Sequence, residues 1–392
     1  MKIAIICSYP LPYGMAATTR ILSYSKGLVA LGTDVEVISY MPSGTGIDNL
    51  EDDNGELGGV KYRYAFRRKR TRNRIIRPFE VLWSLLLLMR YLIKNGGKSK
   101  YDAIIVSSDN LVILCYMAFV NIMLRTRLLF IFDEFPIPIR AKLKKAIPAW
   151  KRKAYSFILH FYSGYISMTD TLLKYYQNIS FHKGVIVSSI TDISRFEKLP
   201  AKVTIQPATF KIVYMGNMEL SKDNVDNILL SLNYLKGRYS FHLFLYGNPS
   251  RANRNELLHI IKSNELSDYV TFDYVSYTEV PTILNEADVL VSSQPDTVRA
   301  AGGFPTKLGE YLMTAKPVLC TEVGEIAEYF VNKKEVYLAM PGSPEDFADK
   351  LSYIFDNYKE ALLVGEAGKQ KIMNNYSHYQ AGNIIFNFIK SL

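Results

Sequence analysis

Residues 2–40 read KIAIICSYPLPYGMAATTRILSYSKGLVALGTDVEVISY. Lys2–Ser8 is a compact apolar run of strand type. It breaks into a Pro/Gly loop, Tyr9–Gly14. Ala16–Leu31 then has helical character and stops at Gly32, which reads as a C-terminal cap. Asp34–Tyr40 (DVEVISY) reads as a second strand. Strand, glycine loop, helix, strand is a βαβ unit, and it predicts a parallel sheet.

The same grammar continues outward. Phe79–Lys94 reads as a Leu-rich helix containing Trp83, and Tyr101–Ser107, Leu128–Phe132 and Gly164–Ser167 read as buried strands. Residues 195–210 (RFEKLPAKVTIQPATF) lose the periodicity and read as a linker. The grammar then restarts. Lys211–Tyr214 runs to Gly216 and Ser240–Tyr246 runs to Gly247, with helices at Asp223–Lys236, Arg254–Asn264 and Tyr277–Glu286. Val270–Phe272, Val289–Ser292 and Pro317–Cys320 are further strands, and Leu308–Thr314 is helical. Two α/β units are expected, each with its own parallel sheet. Such sheets bind ligands at the carboxyl ends of their strands, and a cleft between two of them is the expected site.

Composition agrees. A chain of 392 residues suits two domains. With 48% hydrophobic and 21% charged residues it is neither disordered nor fibrous. Cys7, Cys115 and Cys320 lie far apart, outside any Cys/His cluster, so neither a disulfide scaffold nor a structural zinc site is expected. Reduced thiols and the lack of a signal-type opening point to the cytoplasm. The longest apolar runs, Phe79–Ile93 and Leu111–Leu124, are shorter than the ~20 residues needed to span a bilayer. Net charge is +10. Residues 61–77 hold nine Lys/Arg and residues 140–153 hold seven, neither with an acid. Such patches imply an anionic surface or ligand.

The most informative stretch for chemistry is Gly302–Leu319, GGFPTKLGEYLMTAKPVL. Two glycines let backbone approach a ligand. Pro305 and Thr306 open a helix, whose start presents free N–H groups to a phosphate. Lys307 adds a cation. Glu310, one turn further in, is badly placed for phosphate but well placed to accept two hydrogen bonds from a ribose diol. On these residues alone a plain loop followed by a solvated helix reads equally well.

This stretch resembles the donor-binding signature of family-4 retaining glycosyltransferases of the GT-B fold. Gly303-Phe304-Pro305 takes the place of the family's Gly-Phe-Gly, Glu310 that of its second Glu, and Lys316–Leu319 that of the following strand. Met1–Ser39 is similar to the family's N-terminal βαβ, with Gly14 in the glycine loop. Ile186–Phe196 (IVSSITDISRF) resembles its Pro-Asn-Gly-x-Asp segment, keeping Asp192 and Phe196. Val213–Asn224 (VYMGNMELSKDN) resembles its Gly-Arg-Leu loop, keeping Gly216 and Lys222.

The resemblance implies an α/β chain of GT-B type: two Rossmann-like domains, 1–200 for the acceptor and 201–375 for the nucleotide sugar, with parallel sheets facing a central cleft. A C-terminal helix, 376–392, would cross back to the first domain. It implies hexose transfer with retention from a nucleotide diphosphate sugar to a glycan or lipid-linked acceptor, as in bacterial surface polysaccharide synthesis, without a metal. Charge developing on the leaving phosphate would be met by Lys222 and the helix start at 305–307. Three positions depart from the pattern. Gly302 stands where a Glu grips donor-sugar hydroxyls, Asn217 stands where an Arg meets the diphosphate, and the Pro-Asn-Gly is missing before Asp192. Backbone N–H groups of 303–306, with Arg299 or Lys307, are expected to compensate. Gly247, Ser276 and Tyr277 fall where relatives hold the base. Asp133, at a strand's carboxyl end, falls near the reacting sugar, although a helix cap or a partner for a nearby Arg or Lys reads equally well. None of the five histidines fits a catalytic role.

Arg67, Arg68, Lys69, Arg70 and Arg72 precede the helix that bears Trp83. Basic residues beside an apolar, Trp-bearing helix suit the headgroups of an anionic membrane or an acceptor's pyrophosphate; a core helix at 79–93 preceded by a solvated basic loop is the other reading. Nucleic acid is not expected as a partner, since no recognised module accompanies the charge. Two other readings stay open: a nucleotide-sugar epimerase of the same double fold, and a degenerate nucleotide-sugar-binding protein, motivated by Gly302 and Asn217.

Overall fold

A computed structural model describes residues 1–43, 52–98, 101–135, 148–180, 182–188, 191–197, 199–200, 205, 207–304 and 306–392. The chain divides into two compact units. Unit 1 is Met1–Ile190 with His378–Leu392, and unit 2 is Thr191–Ser377.

Unit 1 begins β1 (Lys2–Cys7), α1 (Ala16–Ala30), β2 (Asp34–Ser39), β3 (Asn54–Leu57), β4 (Val60–Tyr64) and α2 (Arg77–Lys98). It continues β5 (Ala103–Ser107), α3 (Leu111–Leu124), β6 (Arg127–Phe132), α4 (Ala149–Leu159), β7 (Gly164–Ser167), α5 (Asp170–Gln177) and β8 (Gly184–Ile186). The sheet order is β3-β4-β2-β1-β5-β6-β7-β8. All pairs are parallel except β3 with β4. β1, β5 and β6 are apolar because both faces of a parallel sheet are covered by helices. The alternating direction of the crossovers puts α1 on one face and α2, α3 and α4 on the other, since such crossovers are right-handed.

The β3–β4 hairpin is absent from the sequence reading. Leu57 pairs with Val60, so Gly58-Gly59 is a two-residue turn, with φ of +60° and +78°. Both values suit glycine, as a mirror-image hairpin turn demands. By composition Lys61 and Arg63 belong to a basic run, whereas they alternate with buried Val60, Tyr62 and Tyr64 on a strand. The C-terminal helix, His378–Ser391, packs on α1. A Cβ on Gly27 would lie 1.9 Å from the His378 carbonyl oxygen, and one on Gly382 2.2 Å from the Gly27 carbonyl carbon. Glycine on both helices is what lets their backbones touch.

Unit 2 opens with a 3-10 turn, Ile193–Arg195, which ends at the first residue of the stretch read as linker. Then come β9 (Phe210–Met215), α6 (Leu220–Asp223), α7 (Val225–Leu235), β10 (Phe241–Tyr246), α8 (Arg251–Ser263), β11 (Val270–Asp273) and α9 (Val280–Asn285). β12 (Val289–Ser292), α10 (Val298–Gly302), α11 (Thr306–Leu312), β13 (Val318–Thr321), α12 (Ile326–Tyr329), β14 (Tyr337–Ala339), α13 (Pro344–Asp356) and α14 (Tyr358–Asn375) follow. Its parallel sheet runs β11-β10-β9-β12-β13-β14, the 3-2-1-4-5-6 order of a Rossmann fold. The order reverses between β9 and β12, and that reversal opens a crevice at their carboxyl ends. Both units thus have the Rossmann-like, parallel-sheet architecture that the sequence predicts. Gly302 is not loop: it ends the short helix α10, whose first turn is capped by the Thr297 hydroxyl.

Candidate active site

Gly216 follows β9 and Gly247 follows β10 at the carboxyl edge of the unit 2 sheet. The two backbones touch: a Cβ on Gly247, at φ +150°, would lie 1.9 Å from the Gly216 carbonyl oxygen. A Cβ on Gly216 would lie 2.9 Å from Lys307 Nζ. Glycine at both positions keeps the crevice floor to bare backbone.

Tyr311 of α11 accepts a hydrogen bond from Met215 N at 2.8 Å and donates to Met215 O at 3.3 Å, pinning the helix to the end of β9. That fixes the two charged residues of α11. Lys307 Nζ lies 2.9 Å from Asp223 Oδ1 and 3.0 Å from the Tyr214 hydroxyl. An ammonium has three N–H donors, and among the described residues Asp223 and Tyr214 take two. Burial alone would raise the Asp223 carboxyl, but the charge and hydrogen bond of Lys307, with the charge of Lys222, bring it below the ordinary carboxylate range. Two predicted cations, Lys222 and Lys307, are thereby gathered around one carboxylate.

Glu310 lies one turn further along α11 and forms an ion pair with Arg195. The same guanidinium donates to the Tyr277 carbonyl at 2.8 Å and lies 4.0 Å over the Tyr277 ring. Burial raises the Glu310 carboxyl above its ordinary value, and Arg195 opposes the rise without cancelling it. Some 21% of the Glu310 side chain is still exposed. Arg195 is the functional candidate that sequence reasoning missed. Its partners lie 82 and 115 residues away, so no spacing rule joins them. Its one signal was its place beside Phe196 in the Asp192 segment.

The remaining predicted donor-site residues divide. Asn217 is exposed directly after Gly216. Ser276 lies in the turn before α9, its N–H and hydroxyl both donating to the Glu279 carboxylate. Arg299 lies on α10, and Gly303 ends that helix with its N–H bonded to Ala300 O at 3.1 Å. The Phe304 ring is buried against Tyr329 and Phe330, so its side chain anchors the loop and leaves only backbone for a ligand. Thr306 opens α11, and Pro305 lies outside the described residues.

Gly14 and Asp133 belong to unit 1. A Cβ on Gly14 would meet Thr18 Oγ1 at 2.2 Å, so glycine lets the loop fold onto the first turn of α1. Asp133, at the end of β6, pairs at 2.9 Å with Arg20 of α1, and both are largely buried. The alternative reading of Asp133 as the partner of a basic residue is therefore realised.

Part of the basic run is neutralised by acids from neighbouring elements. Arg67 pairs with Glu80, Lys61 with Asp34 and Arg63 with Glu36. Arg68 is 5% exposed and corrects the expectation that it faces a membrane. Its backbone N–H donates to the Asp53 carboxylate, which ties this residue to the start of the hairpin. Lys69, Arg70 and Arg72 are exposed, and Trp83 is 52% exposed. Residues 140–147 of the second basic run lie outside the described residues. Among the described residues no helix is long and apolar enough to cross a membrane.

Residues 195–371, within unit 2, match the family model for glycosyl transferases group 1. No curated protein matches the sequence. Solved structures similar to the whole chain are GT-B glycosyltransferases. Sucrose-phosphate synthase of Thermosynechococcus elongatus is 14% identical, with TM-score 0.73, covering 100% of this chain and 98% of its own. A glycosyltransferase of Rickettsia africae is 16% identical, with TM-score 0.74 and the same coverages. HepE of Anabaena, solved with UDP-glucose, is 13% identical, with TM-score 0.70, covering 100% of both chains. The fold is thus of GT-B type.

Proposed function

We propose that the protein is a retaining glycosyltransferase that moves a hexose from a nucleotide diphosphate sugar to a glycan or lipid-linked acceptor in bacterial surface polysaccharide synthesis. One observation carries the reading. At the crevice of the unit 2 sheet, within the segment that matches the family model, α11 holds a cation and a carboxylate one turn apart. Each is locked by a partner from elsewhere in the unit.

The chemistry follows from these positions. Lys307 and Lys222 supply positive charge where the leaving diphosphate gains negative charge, and fixed cations stabilise that charge without reorganising. The bare backbone at Gly216 and Gly247 admits the phosphates closely. Glu310, oriented by Arg195, accepts hydrogen bonds from the ribose diol, and the Tyr277 backbone borders the base. UDP-glucose bound to HepE supports a uridine nucleotide as donor. No step calls for a metal ion. The enzyme works in the cytoplasm, held peripherally at the inner face of the membrane, where exposed Lys69, Arg70, Arg72 and Trp83 meet anionic lipid.

The test incubates the purified chain with a panel of nucleotide sugars and acceptors and follows products by mass spectrometry. Free nucleotide released only when acceptor is added is the expected result. A changed sugar without release would establish the epimerase reading instead, and binding without turnover the degenerate one.

A further inference from the structure

α2, α3 and α4 form one helical layer on unit 1. The Tyr116 hydroxyl of α3 donates to Leu85 O of α2 at 2.6 Å, and α4 packs on α3. Their inner sides are buried: Ser84, Leu88 and Leu92 on α2; Leu114, Met117 and Ala118 on α3; Tyr155, Ile158 and Leu159 on α4. The outer side of such a layer is ordinarily polar. Here exposed apolar residues recur on all three helices, with Arg90 on α2 and Arg152 and Lys153 on α4 as exposed charges among them. Phe79 (66% exposed), Leu82, Trp83 and Leu86 recur at helical spacing on α2. Val112 (70%), Phe119 and Ile122 do so on α3, which has no charged residue in its 14 positions. Trp150 and Phe157, each 68% exposed, continue the pattern on α4. Scattered single apolar residues are normal on a surface, but a contiguous layer marks an interaction site.

The charges identify the partner. The sole acid on the three helices is Glu80, which is buried and paired with Arg67. Among the described residues, the exposed charges on the layer and the segments flanking it are basic, with Arg74, Arg90, Arg125, Arg127, Arg152 and Lys153 among them. A second copy of the chain would set this basic rim against itself, because a two-fold interface pairs each patch with its own image. An apolar face with a cationic rim suits the headgroup boundary of an anionic bilayer.

We propose that the whole outer side of the α2–α3–α4 layer lies on an anionic lipid surface. This extends the membrane part of the reading above, in which only α2 and its basic run engage lipid, and it is independent of the donor site.

The chain's two tryptophans both lie on this layer, Trp83 on α2 and Trp150 on α4. They report its two sides separately. Trp83→Phe leaves Trp150 as the only tryptophan. With vesicles of equimolar phosphatidylcholine and phosphatidylglycerol, Trp150 emission is expected to move to shorter wavelength. The double variant Phe119→Glu/Ile122→Glu should reduce co-sedimentation with these vesicles by at least about tenfold, with an unchanged circular-dichroism melt. If Trp150 emission stays put while Trp83 emission shifts in Trp150→Phe, the three-helix footprint fails and docking by α2 alone stands. If neither shifts, both membrane readings fail. A concentration-dependent dimer in sedimentation equilibrium that the double variant abolishes would overturn the proposal in favour of a second copy.

Discussion

The Arg195 guanidinium joins Glu310, 115 residues further along the chain, and in the same grip holds the Tyr277 carbonyl at 2.8 Å. One cation therefore links the proposed ribose carboxylate to the proposed base edge. Arg195→Ala frees both. The expected result is a rise in donor KM of about tenfold with a smaller change in kcat, since the lost interaction orients a ligand contact rather than meeting the reacting bond. Steady-state kinetics at saturating acceptor measure it. An unchanged KM would remove Arg195 from the site.

The raised Glu310 carboxyl gives this contact a pH signature. Only the ionised carboxylate accepts from both ribose hydroxyls. As pH falls through the raised value, protonation removes that contact, so donor KM climbs at a higher pH than an ordinary Glu would produce. Glu310→Gln, which does not titrate, should start from a higher KM and show a flatter acid limb.

Lys222 should act on the chemical step. Lys222→Ala is expected to lower turnover by about tenfold or more while leaving the melting temperature near that of the parent. The side chain is only half-buried, so little packing is lost. Equal turnover in both proteins would strike it from the catalytic set.

Asp223 is a stability residue with a defined pH window. Its carboxyl lies below the ordinary value of 3.8 in the folded protein. The stabilisation is therefore fully present above that value and is lost as pH falls through the lower folded one. Asp223→Asn breaks a pair whose side chains are 5% and 18% exposed, at an expected cost of about 3 kcal/mol near neutrality. Urea unfolding across pH should show the gap from the parent shrinking below about pH 4.

Gly247→Ala tests the crevice floor. Its Cβ would fall within bonding range of the Gly216 carbonyl at a backbone angle that favours glycine. A loss of about 2 kcal/mol or more is expected, together with weaker nucleotide binding by calorimetry.

The parts of the fold set by local pattern were legible. Apolar strands that end at Gly216 and Gly247 fall within a residue or so of their observed places, because strand, glycine and helix follow in sequence. The β3–β4 hairpin was not, because its outward positions are charged and the basic run masked the alternation. In the site, Lys307 and Glu310 were legible from spacing on one helix. Arg195, Asp223 and Arg20 were not, since each owes its place to a partner brought close only by tertiary packing. The apolar outer layer is half legible: Trp83 marks α2, whereas α3, apolar all round, carries no periodicity that separates an outer from an inner side.

The glycine-to-glycine seam between α1 and the C-terminal helix bears on how the protein is made. Unit 1 draws one of its helices from a stretch translated after the whole of unit 2. On the ribosome the groove on α1 around Gly27 must wait, uncovered, until Gly382 arrives, so a chaperone that shields that groove would protect the nascent chain. A side chain at either glycine would hold the two helices apart and leave that groove open to aggregation in the finished protein as well.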